Sequence, residues 1–207
     1  MDDDAGDDDR EREYACKLAS KGLLRPDDIK ALSTAVFLSD NVINSAQESL
    51  RKEYGAGKGL QNVNLGQTLM FRDNHQSDSE TFVQILHDGS CHWLAVTNLG
   101  CSADEVVIMD SLPRRAKRGR VLRPIIQLHV QQQIARIIRP ESGKMKMTVA
   151  PVQRQSNGVD CGVFAVAFCQ YVLQYNRYRS DSREKHSLHA FRLLGFDLLI
   201  KTFLSKP

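Results

Sequence analysis

A cysteine placed at the start of an apolar run, just after a group of amide and carboxylate side chains, is an arrangement suited to covalent acyl transfer. Residues 155–162 read Gln155-Ser156-Asn157-Gly158-Val159-Asp160-Cys161-Gly162, and the apolar stretch Val163-Phe164-Ala165-Val166-Ala167-Phe168-Cys169 follows at once. Because the run continues through Tyr171, Val172 and Leu173, a buried helix is expected, with Asp160 as its N-cap and Cys161 in its first turn. The sulfur then sits at the positive end of a helix dipole. There the thiolate, which is the attacking species, is favoured over the thiol. Gly162 has no side chain beside the sulfur, which leaves room for a substrate backbone. The negative charge of Asp160 slightly opposes a thiolate one residue away, so capping is its expected role.

A nucleophilic cysteine needs a base, and the base needs a group that orients it. Ser90-Cys91-His92-Trp93-Leu94-Ala95-Val96 and Glu105-Val106-Val107-Ile108-Met109-Asp110-Ser111 read as two short strands joined through the turn residues Asn98-Leu99-Gly100. An antiparallel pair of this kind brings His92, near the start of one strand, beside Asp110 at the end of the other. His92 is then expected to take the proton of Cys161 and return it to the leaving amine, while Asp110 fixes the imidazole tautomer and Gln155 donates an amide N–H to the oxyanion.

These three segments resemble the ubiquitin-like protease family, also called Ulp or sentrin-specific proteases. The resemblance rests on His92-Trp93, then Asp110-Ser111, then Gln155-x-Asn157-Gly158-x-Asp160-Cys161-Gly162, and on an upstream segment from Asp28-Ile29 to Leu38-Ser39-Asp40-Asn41-Val42-Ile43-Asn44. It spans residues 25 to 175. It implies an α+β, papain-like cysteine protease fold with a central, mostly antiparallel sheet flanked by helices. It further implies catalytic His92, Asp110 and Cys161, an oxyanion-hole Gln155, and Trp93 as a lid over a substrate's glycine tail. Phe37 stands where members that process SUMO carry a second tryptophan, so the channel around the tail is expected to be built differently here.

The activity implied is hydrolysis of the peptide or isopeptide bond after the C-terminal Gly-Gly of a ubiquitin-like modifier, SUMO being favoured. Alternatives are a deubiquitinase or deneddylase of the same fold, an acetyltransferase using the same triad, and a non-hydrolytic module that only binds a modifier. The expected partners are the modifier (SUMO, NEDD8 or ubiquitin) and its conjugates, and the chain is expected to be monomeric. No cofactor is expected, since a thiol protease uses none.

Composition bounds the rest. The chain has 207 residues, of which 42% are hydrophobic, enough for one domain with a sizeable core. No apolar run approaches the length of a bilayer span, and the N-terminus lacks the apolar segment of a signal peptide. Five cysteines at positions 16, 91, 101, 161 and 169 do not form a disulfide framework. This fits a reducing nucleus or cytoplasm. Cys91-His92 with Cys101 lacks the paired C-x-x-C spacing of a zinc site, so no metal is expected.

The net charge of +3 conceals an uneven distribution, because six of the first nine residues are aspartate. Residues 1–20 are expected to be a disordered acidic tail, with residues 21–207 forming the catalytic domain. Arg114, Arg115, Lys117, Arg118, Arg120 and Arg123 crowd the segment after Asp110. That segment reads first as a solvated loop, and no aromatic residues interleave with it to stack on nucleic-acid bases. Gly55-Ala56-Gly57-Lys58-Gly59 lacks the full phosphate-loop spacing and reads as a helix stop and connector.

The elements that must position the site can be read from periodicity. Ser39 or Asp40 caps a helix through Val42, Ile43, Ala46, Leu50 and Tyr54, stopped at Gly55. Residues 81–110 form a three-stranded meander turned by His87-Asp88-Gly89-Ser90. A helix is expected to begin at Pro124 and run through Ile126, Val130, Ile134 and Ile137 to Pro140. Met145–Val149 alternates like a strand, Tyr175–Glu184 reads as a polar loop, and Leu188, Phe191, Leu194 and Leu198 suggest a closing helix.

Overall fold

Strands whose residues are apolar on both faces need cover on both sides, and the central strands of this protein have it. The computed structural model describes residues 25–32, 34, 36–55, 58–72, 81–102, 104–118, 121–138 and 143–181. The acidic tail and the expected closing helix lie outside them. In chain order the elements are α1 (Pro26–Leu32), α2 (Asp40–Tyr54), β1 (Lys58–Gly59), α3 (Asn64–Gln67), β2 (Phe82–His87), β3 (Trp93–Thr97), β4 (Glu105–Met109), β5 (Arg115–Arg118), β6 (Val121–Pro124), α4 (Leu128–Ile137), β7 (Lys146–Val149) and α5 (Cys161–Asp181).

The main sheet has the order β1-β2-β3-β4-β7. Its centre is the expected antiparallel meander, with His87 opposite Trp93 and Ala95 opposite Met109, while both edge pairs, β1 with β2 and β4 with β7, are parallel. Strand periodicity sorts the side chains into two cores. Val83, Ile85, Trp93, Ala95 and Met109 pack with Ile43 and Leu50 of α2 and with Phe164, Phe168 and Val172 of α5. Phe82, Leu86, Leu94, Val96, Val106 and Ile108 pack with Val130, Ile134 and Ile137 of α4. The result is the expected α+β architecture, a mixed sheet between helices on both faces. Among the described residues no helix is long and apolar enough to cross a membrane.

Helix α2 begins and ends where its sequence signals stand. The Ser39 hydroxyl accepts the Val42 N–H as N-cap, and Gly55 at φ 85° ends it. Three other expectations fail. The basic segment after Asp110 pairs as a hairpin, β5 with β6, and so is not an irregular loop. Pro124 closes β6 opposite Arg115, so the next helix starts at Leu128 instead; a proline ring at a strand end loses no ladder bond on its outer side. Lys58 and Gly59, read as connector, form a short edge strand against Phe82 and Val83. Gly59 is required there: its φ is +97°, and a Cβ would lie 2.0 Å from the Val83 carbonyl oxygen.

A fourth difference is the length of α5, whose 21 residues carry the helix to Asp181, through a stretch expected to be loop. Polar composition misled here because tertiary partners hold the last turns. Gln174 Nε2 donates to the Tyr54 hydroxyl at 2.9 Å, Thr81 Oγ1 bonds Asn176 Oδ1 at 3.1 Å, and Tyr175 packs on the core.

Candidate active site

The antiparallel pairing of β3 and β4 decides where the site forms. His92 immediately precedes β3 and Asp110 immediately follows β4, so the two residues meet at one end of the sheet. His92 Nε2 lies 2.7 Å from Asp110 Oδ1, and both side chains are 13% exposed. Asp110 Oδ1 also accepts the Leu112 N–H at 2.8 Å, which fixes the carboxylate plane toward the ring. With Nε2 committed to Asp110, Nδ1 is the ring nitrogen left to serve Cys161.

Cys161 is the first residue of α5, and the Phe164 N–H closes the first helical turn onto the Asp160 carbonyl at 3.0 Å. Asp160 thus holds the N-cap position through its backbone, while its carboxylate accepts from Asn157 Nδ2 at 2.6 Å. The sulfur lies 3.9 Å from the carbonyl oxygens of both Cys91 and Val159. Its neighbour Gly162 faces the core. A Cβ there would lie 3.1 Å from the Leu38 side chain and 3.2 Å from Ile43 Cδ1, so the bare α-carbon lets the start of α5 seat against α2.

The electrostatics of His92 follow from these contacts. Burial disfavours a charged ring, but the hydrogen bond to Asp110, the interaction with the Cys161 side chain and the Asp110 charge outweigh it and raise the pKa to about 10. The ring therefore carries its proton at neutral pH. Two thiols elsewhere lack this setting: burial pushes Cys169 far up, and burial together with Glu105 raises Cys101 to about 11.

Gln155 sits on the loop between β7 and α5, 6% exposed. Its Oε1 accepts the Ser111 hydroxyl at 2.6 Å and its Nε2 donates to the Asn157 carbonyl at 2.8 Å, while its backbone N–H bonds the Ser111 carbonyl at 3.2 Å. An amide nitrogen has two hydrogens, so one N–H remains for an incoming oxygen. The sequence motifs contain Ser111 and Asn157 without indicating that they orient the amide. Asn157 also accepts the N–H groups of Val159 and Asp160, each at 3.0 Å, and so shapes the approach to the cysteine. A polar residue directly after the orienting Asp was the available signal for Ser111.

Trp93 is 4% exposed and donates its indole N–H to the Leu38 carbonyl at 3.0 Å; its ring lies 4.6 Å from that of His87. The bond holds the backbone next to Phe37, which is 47% exposed. His92, Asp110, Cys161 and Gln155 thus converge, with Trp93 anchoring the Phe37 segment near them.

Comparison with known proteins identifies the family and the fold. The family described as the Ulp1 protease family, C-terminal catalytic domain, matches residues 37–197. No curated protein matches the chain at a significant level. Among solved structures, the one described as a SUMO protease Ulp1 with the catalytic cysteine oxidized to a sulfinic acid has a TM-score of 0.55 at 15% identity, covering 84% of this chain and 86% of its own. A de-sumoylating protease gives 0.53 at 15% identity, covering 76% and 70%. A SUMO protease Ulp1 with the cysteine oxidized to a sulfenic acid gives 0.51 at 17% identity, covering 84% and 86%. At these identities the likeness speaks for the fold.

Proposed function

Because this chain belongs to the Ulp1 protease family and is a cysteine peptidase, we propose that it hydrolyses the bond after the C-terminal Gly-Gly of SUMO, in precursors and in conjugates, through a Cys161-His92-Asp110 acyl-enzyme mechanism. The Cys161 thiolate attacks the carbonyl carbon of the last glycine, and the tetrahedral oxyanion takes the free N–H of Gln155. His92 gives its proton to the departing amine, leaving a thioester on Cys161. Water then attacks the thioester as His92 takes a proton from it, and the sulfur leaves as thiolate. Asp110 holds the ring on its Nε2 side throughout.

The observation that carries this reading is the 2.7 Å contact between His92 Nε2 and Asp110 Oδ1, together with a cysteine at a helix start whose sulfur lies 3.9 Å from the carbonyl of Cys91, the residue before His92. The names of the solved structures that share the fold support SUMO as the modifier. The glycine tail is assigned to a channel walled by Trp93 and Phe37, where a Cβ next to the scissile bond would meet a ring. A thiol mechanism of this kind fits a reducing compartment, the nucleus or the cytoplasm.

Cleavage of matched C-terminal fluorogenic amides of SUMO, NEDD8 and ubiquitin tests the assignment. The SUMO substrate is expected to have the highest kcat/KM. Preference for NEDD8 or ubiquitin would keep the chemistry and change the modifier, whereas no turnover of any of the three would remove the function proposed.

A further inference from the structure

We propose that Asp88 is a positioning residue for the catalytic histidine, clamping the turn that carries His92 to the segments that follow Asp110. The inference rests on the thiol-protease mechanism above. Asp88 is the first of the five residues between β2 and β3. In the fold its side chain is fully buried beneath that turn.

One carboxylate oxygen, Oδ1, accepts three successive backbone N–H groups, from Ser90 at 2.8 Å, Cys91 at 3.2 Å and His92 at 3.1 Å. The Ser90 hydroxyl lies 2.8 Å from both carboxylate oxygens, and the Asp88 N–H returns to the His92 carbonyl at 2.9 Å. An Asp at a turn commonly bonds its own backbone two residues on, and Oδ1 alone meets that need. Oδ2 reaches elsewhere. It accepts Gln127 Nε2 at 2.8 Å, from the residue that precedes α4, and Arg114 Nη2 at 3.5 Å, four residues beyond Asp110. Burial opposes the charge of Asp88, but the bonds from Ser90, Gln127 and His92 prevail and hold its pKa at about 2. The clamp is therefore an anion at neutral pH.

The turn that it fixes touches both reacting groups. Its last residue is His92, and the carbonyl of Cys91 lies 3.9 Å from Cys161 Sγ. Movement of the turn changes the angle of the ring and the surroundings of the sulfur together, and a misplacement of about 1 Å can cost about 100-fold in rate. Oδ2 ties this turn to the chain beyond Asp110 at Gln127 and Arg114, and Arg114 Nη2 also reaches the Ser90 hydroxyl at 3.2 Å.

Asp88→Asn separates the clamp from a plain turn, because asparagine keeps an oxygen for the three N–H groups and turns an NH2 donor toward the donors of Gln127 and Arg114. Two readouts are taken: kcat and KM on a Gly-Gly substrate, and the rate at which iodoacetamide alkylates Cys161, which needs no modifier. The expected result is a kcat lowered about 10- to 100-fold at unchanged KM, with Cys161 alkylation slowed in parallel. In a His92→Ala background the same substitution should change neither rate further. Gln127→Ala, which removes one donor to Oδ2 from a half-buried site, should lower kcat in the same direction by less, and it serves if Asp88→Asn does not fold. Wild-type kcat and alkylation in whichever of these variants folds, or an equal further fall without His92, would overturn the proposal. If instead His92→Ala itself cleaved and alkylated like wild type, the underlying mechanism would be the part that failed.

Discussion

Ser111→Ala tests the oxyanion role proposed for Gln155 without altering Cys161 or His92. The Ser111 hydroxyl donates to Gln155 Oε1 at 2.6 Å, and the two residues are 1% and 6% exposed. Removing the hydroxyl leaves a buried acceptor without its donor, which costs about 1–3 kcal/mol. The amide recovers part of that by rotating, and rotation withdraws the N–H aimed at the oxyanion. If about 1–2 kcal/mol of orientation is lost in the transition state, kcat falls about 5- to 30-fold. Deleting the donor outright, in Gln155→Ala, should cost about 10²- to 10³-fold. KM should stay constant in both, because the interaction forms only as negative charge develops. Steady-state kinetics on a fluorogenic Gly-Gly amide reads these values, and the double variant should be no slower than Gln155→Ala alone. A KM increase at constant kcat, or full additivity in the double variant, would refute the reasoning and make both residues ordinary binding or packing groups.

Asp110→Asn should lower kcat by about 10⁴-fold, as loss of an orienting carboxylate does in a related triad. It also removes the leading upward influence on a His92 pKa of about 10; since the protonated ring is the working form, the alkaline limb of the pH–rate profile should move to lower pH, and an unmoved limb would mean that another group sets it. Cys169→Ala should keep wild-type kcat, because Cys169 is fully buried with burial raising its pKa; a large loss of kcat in a folded variant would contradict this. Gly162→Ala should lower Tm, since the added methyl meets Leu38 and Ile43 at 3.1–3.2 Å and overpacking costs about 1–3 kcal/mol; unchanged thermal unfolding would show that α2 yields freely.

The site was more legible than the scaffold around it. His92, Asp110, Gln155 and Cys161 stand in short segments whose types and order imply one chemistry, and strand alternation places the first two at the same sheet end. The contacts that orient them were not legible. Ser111 and Asp88 act through side-chain bonds spanning 44 and up to 39 residues, which neither periodicity nor turn propensity encodes. The same cause explains the scaffold errors. Tyr175 to Asp181 is polar enough for a loop but is held helical by Tyr54 and Thr81. The β5–β6 hairpin reads as a run of cations, because pairing of a charged ribbon depends on its partner strand more than on its own pattern.

The central claim is that Cys161, served by His92, is the nucleophile that attacks the carbonyl after a modifier's Gly-Gly. The most direct measurement is to react the protein with an electrophilic probe built on the SUMO C-terminus and to map the adduct by peptide mass spectrometry. A single adduct on Cys161 is predicted, lost in Cys161→Ala and strongly slowed in His92→Ala. An adduct on Cys91 or Cys169, or labelling of Cys161 at an unchanged rate without His92, would contradict it.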